Sequence, residues 1–456
     1  MTKDLTQGNP IKAIIFLAFP IMLGNLFQQL YSIADTLIVG RMIGSNALAA
    51  VGSTSSFYFL IMWFIVGMSG GYAIELAKRF GAGQMDALRK AVCVAFELAT
   101  VITLSVTVIS LIFIKKLLII MNTPSEILAD AYAYIVVIIV GMMATMLYNT
   151  CASILRAMGD SKTPLYFLIL ASGINIVLDI VFIRYFHSGV VGAAYATVIS
   201  QAFSGILCFF YMKSHFTELH FQKGDWKYDR DTSKQLLKYG LPSGLLGTTT
   251  AIGILILQFA INCYGADVIA GYTTAIKIDN FFELPIHSYA MAMMNFEGQN
   301  LGAGKYDNMK RGFRQCTILG MLTAFVCAII LFTFGNDFSK FFVDANTSAK
   351  VIEFSAMYLR IASFFLIIFS VLMITRSSLQ GMGSTLVPII NGGAESVIRI
   401  VFTVILMHNL SEFALCLVTP TTWTIATLIV IYMYISYWKG VKASEKEKIA
   451  ESAETA

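Results

Sequence analysis

Charge is what this sequence most lacks. Only 13% of its 456 residues are Asp, Glu, Lys or Arg, against roughly 25% in soluble domains. Prolines number 8, histidines 5 and cysteines 7, and no long polar tract interrupts the chain. These shortages exclude a disordered chain, a collagen and a disulfide scaffold. No Cys-x-x-Cys pair occurs, so the cysteines read as small apolar helix residues. The histidines do not cluster, and no metal centre is expected from them. Gly81-Ala82-Gly83 lacks a following Gly-Lys-Ser/Thr, so a phosphate-binding loop is absent and transport powered by this chain's own nucleotide hydrolysis is excluded.

Apolar residues are abundant instead, at 57%, with a mean hydropathy of +0.73. Runs such as 92–114, 317–334 and 386–407 reach or approach the ~20 residues that cross a bilayer. A membrane barrel would show alternating segments of about ten residues. Only helices keep long apolar backbones hydrogen-bonded in lipid. The fold class expected is therefore an all-α integral membrane protein. The first run, 11–39, is too long for a secretory signal, is broken at Pro20 and precedes no small-residue cleavage pattern, so a retained helix is expected there. Hydropathy places about twelve spans, starting near Ile11, Ala47, Ala91, Ile127, Pro164, Val190, Gly240, Val268, Arg314, Val351, Leu386 and Val418.

With the N-terminus inside, 23 of the 32 Lys and Arg fall on the inner side, six on the outer and three in or near spans. That bias predicts cytoplasmic N- and C-termini in a multi-pass protein. The net charge of +5 is the same bias and no sign of nucleic-acid binding. The longest hydrophilic connection divides the chain nearly in half. The organisation expected is an N-lobe over 1–212, a cytoplasmic linker over 213–238, a C-lobe over 239–438 and a cytoplasmic tail over 439–456.

The halves repeat. Gly81-Ala82-Gly83, Asp86 and Arg89-Lys90 recur as Gly302-Ala303-Gly304, Asp307 and Lys310-Arg311, offset by 221, as are Gly44 and Gly265. Leu155-Arg156-Ala157-Met158-Gly159 with Pro164 recurs as Leu379-Gln380-Gly381-Met382-Gly383 with Pro388, offset by 224. Six spans per half make the repeats parallel, related by a pseudo-two-fold axis along the membrane normal and enclosing a central cleft. That is a transporter architecture.

Charged side chains inside spans are costly and therefore functional candidates. In the first span Asn25, Gln28, Ser32 and Asp35 are spaced 3, 4 and 3, on one helix face. Ser172, Asn175 and Asp179 make a similar stripe in the fifth span, and Thr197, Gln201 and Ser204 in the sixth. These stripes either line a site or form a structural interhelical hydrogen-bond network. Carboxyls in a low-dielectric site suit a proton, and carboxylate, amide and hydroxyl oxygens suit a hard cation such as sodium; residue type does not separate the two. The seventh span offers Gln258 and Asn262 and no acid. The eighth is unusually charged, with Lys277, Asp279, Glu283 and His287 around Pro285. It suits a gate or a substrate contact, or a self-neutralising cluster. Glu395 and Arg399, four apart, are expected to form an intrahelical ion pair.

Several stretches carry a family resemblance. Ala34-Asp35-Thr36-Leu37-Ile38-Val39-Gly40, Leu155–Pro164, Asn175-Ile176-Val177-Leu178-Asp179 and Gly298-Gln299-Asn300-Leu301-Gly302-Ala303-Gly304 resemble motifs of the MATE (multidrug and toxic compound extrusion) transporters. The match extends over nearly the whole chain. The resemblance implies an antiporter that expels amphipathic, often cationic compounds against inward flow of H+ or Na+. It places an ion site at Asp35, Asn175, Asp179 and Thr197. Some members carry an acid in the seventh helix, which Gln258 and Asn262 replace here, so coupling through the N-lobe is expected. Asn25, Gln28, Ser32, Gln201, Gln258, Asp279 and Glu283 are cleft or gate candidates, with Pro20 as a hinge. No cofactor is expected beyond the coupling ion, and the partners expected are small amphipathic substrates and the bilayer, with a monomeric chain in a bacterial inner membrane. The rival readings are a flippase for lipid-linked precursors, disfavoured because intramembrane acids outnumber bases, and an intramembrane enzyme, for which no nucleophile–base pair is evident.

Overall fold

The computed structural model describes residues 4–454 apart from 122, 217–218, 228, 344–347 and 408–411. Residues 455 and 456 of the expected tail lie outside the described residues, as do 217, 218 and 228 of the expected linker. The described chain is helical, with no strand. Thirteen α-helices follow in order: α1 (Pro10–Met42), α2 (Ser45–Gly81), α3 (Met85–Ile120), α4 (Ser125–Val140), α5 (Met142–Ala157), α6 (Lys162–Ile180), α7 (Gly189–His215), α8 (Arg230–Ile261), α9 (Ala266–Gly302), α10 (Tyr306–Phe342), α11 (Ala349–Gly381), α12 (Leu386–Met407) and α13 (Glu412–Glu454).

Each of the twelve expected spans starts inside one of these helices, with two departures. The fourth is broken: α4 and α5 meet at Gly141 with a bend of 43°. A Cβ at Gly141 would overlap the Val198 side chain of α7, so the bare backbone lets the two helices close together there. The second departure is α9. Ten described helices are long and apolar enough to cross a membrane, and the bent pair makes eleven. At 37 residues α9 has the length but is too polar to belong to that set.

The chain packs as two compact units. Unit 1 comprises Met1–Ile252 and Met294–Gly312, and unit 2 comprises Gly253–Met293 and Phe313–Ala456. The ends of the long helices α8 and α9 are thus divided between them.

The sequence repeat reappears in the backbone. Gly44 and Gly265, Gly83 and Gly304, and Gly159 and Gly383 all have positive φ, between +67° and +122°. Such corners strain any residue with a Cβ. Within unit 1, Gly81 and Gly302 bring the ends of α2 and α9 into backbone contact: a Cβ on Gly81 would overlap the Gln299 carbonyl, and one on Gly302 the Lys78 carbonyl. The following residues tie this crossing down. Gln299 Nε2 donates to the Ala157 carbonyl at 2.7 Å, and its Oε1 accepts from the Leu5 amide at 3.0 Å. Asn300 Nδ2 donates to the Leu5 carbonyl, and Lys305 Nζ to the Thr6 carbonyl. The motif at 298–304 therefore holds the N-terminal segment and the end of α5 against α9. In the loop before α6, Asp160 accepts from the Lys162 and Thr163 amides and from the Thr163 hydroxyl, which caps the helix.

The connection between α7 and α8 packs onto unit 1. Phe216, Leu219 and Asp225 are buried. Asp225 accepts from the Gln222 amide at 2.7 Å and pairs with Arg89 of α3 at 2.5 Å. Burial alone would raise the Asp225 carboxyl, but Arg89 and the Gln222 amide hold it below its ordinary value. A lowered carboxyl stabilises the fold above its unfolded pKa, and that contribution is lost as pH falls through the folded value. Asp225→Asn is therefore expected to cost about 2 kcal/mol at pH 7. The gap in melting temperature between variant and wild type should close below about pH 4. A gap that persists at acid pH would count against the ion pair.

Candidate polar site and its relatives

In unit 1 the polar stripes of three helices converge. Thr197 of α7 stands at the centre: its hydroxyl lies 3.4 Å from the donating Nδ2 of Asn175 on α6 and 3.3 Å from the Tyr31 hydroxyl on α1. Gln28, Tyr31, Ser172, Asn175, Thr197 and Gln201 line part of a small cavity of about 10 Å³, measured to the centre of a water-sized sphere, which is room for roughly one water or small ion. The Asp35 carboxyl of α1 and the Asp179 carboxyl of α6, one turn beyond Asn175, lie within electrostatic range of one another. Asp179 is wholly buried and Asn175 nearly so. Asp35 Oδ1, both carboxyl oxygens of Asp179, Asn175 Oδ1 and Gln201 Oε1 are buried without a hydrogen-bond partner. Among the described residues no Lys or Arg contributes to the charge environment of either acid. Immediately after Asp179 the helix widens into a π turn, Val181–Tyr185, a distortion frequent at functional sites.

Three tyrosines complete the surroundings. Tyr31, Tyr58 of α2 and Tyr134 of α4 all lie within electrostatic range of Asp35. Sequence reasoning passed over them. Tyr31 was findable, because it sits one turn before Asp35 on the same stripe; a tyrosine in an apolar run gives no such signal for Tyr58 and Tyr134.

The other candidates separate. Asn25 is half-buried and Ser32 exposed, and neither lines the cavity. Pro20 is buried in the interior of α1, which continues through it. Gln258 donates to Asn262 one turn on, at 2.9 Å, a local bond near the end of α8. Asp279 and Glu283 belong to unit 2, where Asp279 is buried and Glu283 faces His287 at 3.5 Å.

The pairing expected within α12 is corrected by the structure. Glu395 Oε1 accepts from Arg376 Nη1 of α11 at 2.9 Å, and Arg376 also reaches Asn391. Interhelical geometry wins because both partners are largely shielded, 12% and 5% exposed, and Arg376 reaches Asn391 and Glu395 with the same nitrogen. Arg399 is left buried, with its Nε and Nη1 unpartnered.

Among the described residues no group of three or more His, Cys, Asp or Glu stands ready for a metal ion. The duplicated helices and the polar site of the first repeat meet a family model that matches the chain twice, over residues 20–181 and 242–405, under the description MatE. The chain belongs to the MatE family. The two MatE matches fall one on each copy of the repeat.

Relatives match over most of the chain. A protein of Bacillus subtilis (strain 168) described as the probable multidrug resistance protein YpnP is 27% identical over 446 residues, covering 96% of this chain and 98% of its own. The probable multidrug resistance protein NorM of Thermotoga maritima is 27% identical, with 83% and 82% covered. A crystal structure described as MATE in complex with MaL6 superposes with a TM-score of 0.91 at 24% identity, over 97% of this chain and 100% of that one. The MatE fold is thus common to them and to this multi-pass membrane protein.

The corrected pairing has a measurable consequence. Arg376→Gln leaves the Glu395 carboxylate buried and alone, which costs about 3–5 kcal/mol of stability. A double-mutant cycle between Arg376 and Glu395 should return a coupling of about 1–3 kcal/mol. The same cycle between Glu395 and Arg399 should return a value near zero, and a large one would reinstate the pair within α12.

Proposed function

We propose that this chain is a secondary active multidrug exporter, an antiporter that lets H+ or Na+ flow inward as amphipathic small molecules leave by alternating access. One observation carries the coupling reading: Asp35 and Asp179 lie within electrostatic range of each other in unit 1 with unpartnered oxygens, and among the described residues no Lys or Arg balances them. Two carboxylates in a low-dielectric site repel, and burial of unbalanced charge is costly. The pair therefore takes up a mobile cation, either a proton shared between the acids or a sodium ion completed by oxygens of Asn175 and Thr197. The inward drop of one charge through 100 mV releases about 2.3 kcal/mol, which is the drive available per ion.

Taking up and releasing that cation changes the charge beside the Tyr31–Thr197–Asn175 hydrogen bonds, which join α1, α6 and α7. Pro20 supplies α1 with a point lacking one backbone donor, at which the helix can bend as these bonds rearrange. The relatives named for multidrug resistance support a small-molecule substrate, and the excess of buried acids supports a cationic or neutral one. No chemical step on the substrate is part of this reading. The loop charge bias supports cytoplasmic termini and a cell-membrane location, and the chain acts as a monomer.

The test is transport of a fluorescent organic cation in sealed proteoliposomes under an imposed proton or sodium gradient. Wild type should move the dye under one of the two gradients, and Asp35→Asn and Asp179→Asn should each fall to the passive leak at equal incorporation. Equal transport by wild type and Asp35→Asn would remove that acid from coupling. Dye movement under neither gradient, with translocation of a lipid-linked precursor instead, would favour the flippase.

A further inference from the structure

Three cations stand in file at the foot of α8. Arg230, Lys234 and Lys238 are exposed and four residues apart. In further steps of 3, 4 and 7 the same file runs on through Leu241, Leu245 and Ile252, at 42%, 49% and 41% exposure. At 3.6 residues per turn all six fall within an arc of about 80°. The opposite face is packed. Thr232, Leu236, Gly240 and Gly244 are buried. There α8 lies so close to α2 that a Cβ on Gly71 would overlap the Tyr239 carbonyl, and one on Gly67 the Ser243 carbonyl. The file of cations and aliphatic side chains therefore looks away from α2 and out of unit 1, and its apolar part is a surface for acyl chains.

Helix length sets the depth of this file. The 32 residues of α8 extend about 48 Å at 1.5 Å per residue. The hydrocarbon layer takes about 30 Å of that, or roughly 20 residues. No charged residue follows Lys238 in α8, so the later part of the helix fills the hydrocarbon and the foot stands in and beyond the headgroups. Leu241 and Leu245 then touch acyl chains, and Lys238 and Lys234, one and two turns away, reach phosphate level. Among the described residues none of the three cations forms an ion pair. The neighbouring acids are engaged elsewhere. Asp229 accepts from the Asp231 and Thr232 amides and from the Thr232 hydroxyl, which caps α8. Glu75 pairs with Arg79, and Asp225 with Arg89. Asp231 is exposed beside Arg230, which leaves three cations against one acid on the open side of the foot.

We propose that the foot of α8 is a docking surface for anionic phospholipid: Arg230, Lys234 and Lys238 hold headgroup phosphates while Leu241 and Leu245 pack on the acyl chains. Lipid is favoured over a soluble anion by continuity. One face carries the cations and the aliphatic side chains in the order in which a phospholipid presents its phosphate and its tails. Successive cations are about 6 Å apart along the axis, close enough for two of them to grip one phosphate, and Arg230 adds a forked pair of N–H donors. A zwitterionic lipid brings its own cation and gains less here. An anionic leaflet attracts a basic cluster beside a span, and the attraction fades within about 8 Å at physiological salt. The bound lipid is a resident of the fold and not a transported substrate. The surface lies apart from the Asp35–Asp179 site and goes beyond the coupling reading. The loop charge bias assigns it to the cytoplasmic leaflet, although the chemistry is the same in either leaflet.

The experiment counts lipid on the full-length chain. Purified protein in nonionic detergent is titrated with phosphatidylglycerol or phosphatidylcholine, and bound lipids are counted by native mass spectrometry. Wild type should bind its first phosphatidylglycerol about tenfold more tightly than phosphatidylcholine. Arg230→Gln/Lys234→Gln/Lys238→Gln should lower that preference to about twofold or less. Arg230→Lys/Lys234→Arg/Lys238→Arg should keep it. A control, Lys115→Gln/Lys116→Gln/Lys340→Gln, removes the same charge from exposed positions near the C-terminal ends of α3 and α10 and should also keep it. A retained preference in the folded glutamine variant overturns the proposal. An equal loss in the control also overturns it, because net charge then accounts for the effect. Displacement of phosphatidylglycerol by inorganic phosphate at constant ionic strength would assign the surface to a soluble anion and overturn it as well. If the glutamine variant fails to fold, Lys234→Glu decides: a fall in preference of about threefold or more supports the proposal, and no fall overturns it. The count requires no transport, so its outcome is independent of whether the Asp35–Asp179 pair couples to an ion.

Discussion

A carboxylate shielded from water has to be balanced, and the polar interior of this protein is organised by how each acid meets that demand. Glu395 is balanced across helices by a guanidinium at 2.9 Å. Glu283 faces an imidazole. Asp225, at the edge of unit 1, is held by Arg89 and a backbone amide. Among the described residues no Lys or Arg adds to the charge environment of Asp35 or Asp179, which lie within electrostatic range of each other and of amide, hydroxyl and phenol groups that carry no charge. Removing one partner of a shielded pair leaves a cost of several kcal/mol, so these differences are large compared with the small net stability of any fold. The acids that lack a fixed partner are the ones able to respond to an ion that comes and goes.

Gene-level repetition supplies the frame for that difference. The positive-φ glycines recur at matching corners of the two halves, and Gly81 and Gly302 allow the ends of α2 and α9 to touch through their backbones. These positions set where chains turn and how closely helices approach, and they tolerate little change. Side chains projecting between the turns are less constrained. At the offsets of 221 and 224, Tyr58 corresponds to Asp279 and Asn175 to Arg399 in the sequence. A duplicated scaffold can thus keep its corners in both halves while the side chains between them differ.

The long, apolar segments were legible from sequence because the bilayer demands roughly 20 apolar residues of any spanning helix, and the offsets of 221 and 224 were legible because glycine at a positive-φ corner has few substitutes. Helical spacing also put Asp35, Asn175, Asp179 and Thr197 on faces that the structure brings together. Three things escaped. The bend falls at Gly141, where the Val198 side chain, more than fifty residues away, leaves no room for a Cβ. Arg376 stands on a different helix from Glu395, so the i, i+4 spacing with Arg399 was the nearer but weaker choice. Tyr58 and Tyr134 enter the site only because α2 and α4 pack beside α1, information that periodicity along one helix does not contain.

The stretches that carried the family resemblance divide by what they do. Those at 155–164 and 298–304 build corners, caps and the strap that holds residues 5 and 6. Those at 34–40 and 175–179 contribute Asp35, Asn175 and Asp179 to the polar site. A sequence can therefore match a family strongly through its architecture while its chemistry rests on a handful of side chains. For this chain the side chains brought together in unit 1 are Asp35, Asn175, Asp179 and Thr197.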